Sequence, residues 1–169
     1  MHIRLEGRAR KFGDNVNTDY IISSARKKET LDESRLKRYL MEALDPGFAA
    51  SVKPGDLIVA GRNFGCGSAM EIAATVILAA GIKAELAQIF SRTFYRNAIN
   101  NGLLPVEWDT GTIREGERLT VEIANQMLTV GNLTTCVRSS ASSGLSGIVL
   151  QILESGGVVP YLQAHPGFA

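Results

Sequence analysis

The 169-residue chain has only two cysteines, Cys66 and Cys136, and two histidines, His2 and His165, all widely spaced. Such numbers give no disulfide framework. They also leave too few ligands for a metal or iron–sulfur site built from this chain alone. Neither sign of charge is in excess: Lys and Arg number 18 against 17 Asp and Glu, a formal net charge of +1. Nothing in that balance favours nucleic acid or an anionic membrane. No apolar run is long enough to span a bilayer. The opening Met1-His2-Ile3-Arg4-Leu5-Glu6 lacks the apolar segment of a secretory signal, so a cytoplasmic protein is expected. Two phosphate-binding patterns are also missing. No Gly-Lys-Ser/Thr follows the glycine-rich stretch, and Met70 stands where a dinucleotide fingerprint needs its third glycine.

What is present centres on Gly61-Arg62-Asn63-Phe64-Gly65-Cys66-Gly67-Ser68-Ala69-Met70-Glu71. A short strand, Leu57 to Ala60, precedes it, and the apolar run Ile72 to Ala80 follows it. The pattern is strand, glycine-rich loop, helix. Ser68 and Glu71 have capping-box spacing, which predicts Ser68 as the N-cap. Glycines let a backbone approach a ligand closely. Free N–H groups at a helix start suit a carboxylate or a phosphate. Many such junctions bind nothing, so the spacing leaves a ligand site and a plain junction both open.

The rest of the chain reads as one α/β domain over residues 1–169, with an α/β core over about 1–106 and a β-rich part with a C-terminal helix over about 107–169. Ile3 to Phe12 reads as a strand. The loop Gly13-Asp14-Asn15-Val16-Asn17-Thr18-Asp19 is dense in residues that make turns, and it could equally face a polar cleft. Tyr20-Ile21-Ile22 reads as a short strand, and Ser24 to Thr30 as a basic surface loop. A capping-box pattern at Thr30 to Glu33, with Leu36, Tyr39, Leu40 and Leu44 at helical spacing, predicts a helix to about Leu44. Gly81 closes the helix after the glycine loop. Ala84 to Phe90 is a strand, which makes a β-α-β unit and favours parallel pairing. Ser91 is placed to cap a helix over Arg92 to Asn100, and Leu103 to Val106 is a further strand. Arg118 to Ile123 and Met127 to Val130 form a hairpin. Ser139 to Gly147 reads as a connector and Leu145 to Leu153 as a last helix, with the tail around Tyr161 docking back on the core.

Several of these segments, in order, resemble one family. They are Lys11 to Asp19, Val52-Lys53-Pro54-Gly55-Asp56, Asn63 to Ser68, Phe94-Tyr95-Arg96-Asn97-Ala98-Ile99-Asn100-Asn101-Gly102, and Ile152 to Gly157 with Pro160-Tyr161-Leu162. Together they look like the small subunit of 3-isopropylmalate dehydratase and its homoaconitase and dimethylmalate dehydratase relatives. That family is the swivelling β/β/α domain of the aconitase superfamily. The resemblance implies a hydro-lyase acting on a substituted malate-type hydroxy-dicarboxylic acid. It also implies a large-subunit partner that carries a [4Fe-4S] cluster, with no cofactor on this chain. By its match to G-x-G-S, Ser68 would be the catalytic base. By its match to T-D, Asp19 would lie in the same cleft. Gly65, Cys66 and Gly67 would line the substrate, with Cys66 small and structural.

Two departures stand out. The family loop usually runs G-S-S-R-E-H, with the arginine gripping a substrate carboxylate. Here Ala69 replaces the second serine, Met70 the arginine and Ile72 the histidine. After Ala25-Arg26, relatives carry an apolar or mixed segment, whereas this chain has Lys27-Lys28-Glu29-Thr30. Arg26 keeps the family arginine and is the expected carboxylate ligand. Lys27 or Lys28 stands in for the charge that Met70 removes, or both lysines face water. Two other readings of the chain stay open: a non-catalytic partner of a large subunit, and an independent anion-binding module.

Overall fold

The structure is a computed structural model that describes residues 2–167. The chain builds one curled seven-stranded sheet of order β4-β3-β2-β1-β5-β6-β7. Its strands are β1 (His2–Lys11), β2 (Leu57–Val59), β3 (Ala84–Ala87), β4 (Leu104–Glu107), β5 (Arg118–Ala124), β6 (Met127–Asn132) and β7 (Val137–Ser142). β1 to β4 pair in parallel. β1 pairs antiparallel with β5, and the hairpin strands continue antiparallel to the edge. Helices α5 (Glu71–Ala79) and α6 (Arg92–Asn100) are the crossovers between β2, β3 and β4. The expected β-α-β core is therefore present, and β1 ties it to the β-rich part.

Alternate strand residues enter opposite cores, as the pleat requires. Ile58, Ala60 and Ala87 pack with Ala73, Ala74, Val76 and Ile77 of α5. Leu57, Val59, Ala84 and Leu86 face the other side. There they join Leu119, Val121, Ile123, Leu128 and Val130, with Leu150 and Leu153 of α7 (Gly147–Glu154). The tail forms α8 (Val158–Ala164) and returns to the core through buried Tyr161.

Several local expectations need correction. Tyr20 and Ile21 are not a strand but the end of α1 (Thr18–Ile21), a helical turn whose N-cap Asn17 accepts from the Asp19 N–H at 2.9 Å. The basic segment after it is α2 (Ser24–Glu29), capped by Ser23 through the Arg26 N–H. The helix expected to reach Leu44 is a short α3 (Glu33–Leu36) and a 3₁₀ turn over Lys37–Tyr39, and its cap is Asp32, not Thr30. A tertiary bond outweighs the periodicity there: the Met41 N–H donates to the Ile21 carbonyl at 2.9 Å, and Met41 sits at φ 58°. A further helical turn, α4 (Phe48–Ser51), precedes β2. Residues 139–142 of the expected connector belong to β7, an exposed edge strand held through backbone bonds to β6. Its serines carry no hydrophobic alternation to announce it.

Candidate active site

Ser68 is not the N-cap of α5. Met70 occupies that position and makes no side-chain cap bond. The reason is tertiary. The Thr18 hydroxyl donates to the Ser68 carbonyl at 2.9 Å, and the Thr18 N–H donates to the Cys66 carbonyl at 2.8 Å. These bonds pin Ser68 two residues short of the helix, and its side chain is left exposed. The same zip runs back along the loop. The Gly65 N–H donates to the Val16 carbonyl at 2.8 Å, the Asn63 side chain donates to Asn15, and the Arg62 N–H donates to the Asp14 carboxylate at 2.7 Å. The residues of the Asp14–Asn17 loop thus act as a clamp on the glycine loop. On its other side, the Ser91 N–H donates to the Phe64 carbonyl at 2.8 Å, and the Phe64 ring packs edge-on to Phe94 at 5.2 Å.

Two glycines are required by this close approach. Gly65 has φ 75°, and a Cβ there would lie 2.2 Å from Phe94 Cγ. Gly67 has φ 92°, and a Cβ there would lie 2.6 Å from the Asn17 amide. Both demands exclude an ordinary side chain. Pinning the loop leaves its far end open. The backbone N–H groups of Gly67, Ser68, Ala69 and Met70 have no hydrogen-bond partner among the described residues. Consecutive unpaired N–H groups ahead of a helix form a concave donor surface for an anion.

Asp19 is half-buried beside this clamp and accepts from the Ser24 hydroxyl at 2.6 Å. Cys66 is a free, half-buried thiol whose carbonyl belongs to the zip. Arg26 does not present a free fork. Its Nε and Nη2 meet the two carboxylate oxygens of Glu42 at 2.9 and 3.3 Å, and its guanidinium lies 3.8 Å from the centre of the Tyr39 ring. Hydrogen bonding to Glu42 holds the guanidinium pKa above its ordinary value. The expectation of Arg26 as the carboxylate ligand therefore meets a side chain already occupied by a carboxylate of its own. Lys28 is exposed, while Lys27 is half-buried and rests its ammonium on the Met70 sulfur. Among the described residues, no three His, Cys, Asp or Glu side chains group in a way that could hold a metal ion. No helix among those residues is long and apolar enough to cross a membrane.

Residues 9–111 match the family of the aconitase C-terminal domain. The chain belongs to that family. It is 41% identical to the methanogen homoaconitase small subunit of Methanocaldococcus jannaschii, over 94% of this chain and 91% of the relative. It is 40% identical to the 3-isopropylmalate dehydratase small subunits of Saccharolobus solfataricus and Metallosphaera sedula, over 94% of this chain and 94% and 96% of theirs. The crystal structure of a 3-isopropylmalate dehydratase from Methanocaldococcus jannaschii superposes with a TM-score of 0.86, at 40% identity, covering 97% of this chain and 96% of that one.

In this aconitase C-terminal domain Asn17 and Thr18 meet the glycine loop from about fifty residues away, while Asp19, next along the chain, bonds to Ser24. Thr18 as the clamp on the Ser68 carbonyl was not foreseen from the sequence. Its only signal was its place directly before Asp19. Glu42, the partner of Arg26, carried no signal, because the pairing depends on how α2 and the turn after Tyr39 pack.

Proposed function

We propose that the chain is the small subunit of a two-subunit hydro-lyase of the 3-isopropylmalate dehydratase and homoaconitase type. The substrate class is a substituted malate-type hydroxy-dicarboxylic acid. The observation that carries the reading is the exposed Ser68 hydroxyl, set in a run of unpartnered N–H groups ahead of a buried helix. Ser68 Oγ takes the proton from the carbon next to a substrate carboxylate. The electron pair left behind forms the carbon–carbon double bond as the neighbouring hydroxyl departs as hydroxide, and the proton taken by Ser68, passed on to that hydroxide, completes the water and restores the alkoxide. A serine hydroxyl is a weak base, so its alkoxide needs donors already in place. The open N–H groups of the loop are such donors, and they strengthen once a partner excludes water. Asp19, held by Ser24, orients polar groups in the cleft, and Gly65 and Gly67 let the backbone close on the acid.

The iron–sulfur cluster of this type of enzyme would supply Lewis-acid activation of the leaving hydroxyl. The side chains here do not fit it as ligands. Cys66 lies within the clamped loop and Cys136 on the exposed turn before β7. The cluster therefore belongs to the large subunit. In the complex reconstituted with that subunit, Ser68→Ala is expected to abolish turnover with folding unchanged. Full turnover by that variant would refute the role of Ser68.

A second reading rests on Met70. It is nearly buried and cannot grip a carboxylate as the family arginine does. On that reading the chain stabilises a large subunit without completing a catalytic site. Met70→Arg separates the two, since a gain from no dehydration to measurable dehydration would favour the non-catalytic reading of the natural chain.

A further inference from the structure

We infer that Lys27 is the cation that meets a substrate carboxylate, and that the Met70 thioether is its seat. The inference rests on the hydro-lyase reading above. Most of the cations that are not fully exposed already have an anion. Arg26, next in sequence, is neutralised by Glu42, with Glu29 at 3.6 Å. Arg8 and Arg10 are neutralised by Asp56 and Glu115. Half-buried Lys11 has the Thr110 carbonyl and the nearby Asp109 and Glu117 charges. Lys27 is different. It is half-buried, it has no ion-pair partner among the described residues, and its ammonium lies on a thioether. Thioether sulfur is only a weak acceptor. A half-buried lysine with no ion-pair partner among the described residues, its ammonium against Met70 two residues along the loop from exposed Ser68, is a charge awaiting an anion.

The geometry explains why the loop tolerates methionine. Position 70 does not need to reach the acid itself, because α2 delivers the charge to the same place. Methionine is unbranched and adaptable, and it packs under a lysine stem without competing for its protons. An ammonium is a compact charge with rotatable donors, unlike a planar fork. The subsite therefore fixes one carboxylate oxygen rather than both, and it accepts acids whose carboxylate plane varies.

The test uses the complex with its large subunit, assayed with 3-isopropylmalate, malate and 2,3-dimethylmalate. Lys27→Met should raise KM about ten- to a hundred-fold for whichever of these acids the natural complex turns over, as loss of a charge-assisted bond requires. Lys27→Arg should retain part of the affinity, and Lys27→Met with Met70→Arg should recover it. Lys37→Ala, on the exposed 3₁₀ turn, serves as the control with unchanged kinetics. Competition by malonate gives a second readout, independent of turnover by each variant with its best acid. Its inhibition should weaken in parallel with KM. Thermal unfolding of Lys27→Met and Lys27→Gln should match the natural chain, which separates binding from folding. An unchanged KM and malonate inhibition in Lys27→Met, while Ser68→Ala abolishes turnover, would overturn the role of Lys27 and leave the hydro-lyase reading standing. Full activity in Ser68→Ala would instead remove the reading on which the inference rests.

Discussion

Single atoms decide the shape of the glycine loop. Adding one methyl at Gly65 forces a left-handed residue to carry a Cβ and drives it into Phe94. Gly65→Ala should therefore destabilise the fold by about 2–4 kcal/mol, the sum of a left-handed penalty and an overpacked ring. Urea unfolding checks this, and a loss below about 1 kcal/mol would mean the loop relaxes around the methyl. Thr18→Val keeps the shape of the side chain but removes the donor to the Ser68 carbonyl. It should lower kcat in the complex by about ten-fold or more while costing only about 1 kcal/mol of stability. Steady-state kinetics beside a urea titration would show whether the two effects separate. At this scale the sequence was legible where chemistry is local, as in the glycines that the close approach requires. It was not legible where a partner lay far along the chain. The S-x-x-E spacing at Ser68 and Glu71 obeys a local rule, yet Thr18 pins the Ser68 carbonyl and the cap position falls to Met70. Arg26 read as a carboxylate ligand, and nothing local pointed to its partner Glu42.

Among elements, the buried acids of the parallel strands give the fold opposite responses to pH. Asp56, just before β2, is buried, which alone would raise its pKa. Bonds from Arg8 at 2.7 Å and from the Lys53 N–H at 2.9 Å outweigh the burial and hold it below the ordinary carboxylate value. Its contribution to stability is present above the ordinary carboxylate pKa and is lost as pH falls through the depressed value. Glu85 in β3 behaves oppositely. It is fully buried, neither carboxylate oxygen has a partner among the described residues, and burial drives its pKa well above the ordinary value. Its protonated form favours folding below the ordinary pKa, and that advantage is lost as pH rises through the elevated value. Glu85→Val should stabilise the domain by about 1–3 kcal/mol near pH 8, by removing an unpaired buried polar group. Melting temperatures at pH 5 and pH 8 test this. The gain should be smaller at pH 5, and an equal gain at both would mean that Glu85 does not titrate between them. The long strand, the α5 run and the hairpin were readable from their periodicity. The short helices α1 to α3 were not, because capping side chains and a single tertiary bond at Met41 set them.

For the molecule as a whole, the proposal makes the domain half of an active site. The isolated chain should neither dehydrate malate homologues nor bind stoichiometric iron, and activity should appear only on mixing with the large subunit. Iron and acid-labile sulfide analysis of the purified chain, with a titration of one subunit against the other, checks both points. Stoichiometric iron on this chain would contradict the assignment of the cluster to the partner. The β-rich part, which the change of composition after about residue 107 set apart, shares its sheet with the α/β part through β1. That strand pairs with Leu57 to Val59 on one side and with Arg118 to Ala124 on the other.

This arrangement has a consequence for synthesis in the cell. β1 leaves the ribosome well before one of its two neighbours is made, since Leu5 must wait for Val121 before that hydrogen-bonded edge is covered. Pairings so distant in sequence are slow to close. The nascent chain therefore carries an uncovered central strand through most of translation, a period when a chaperone, or the other nascent subunit, has the greatest opportunity to hold it.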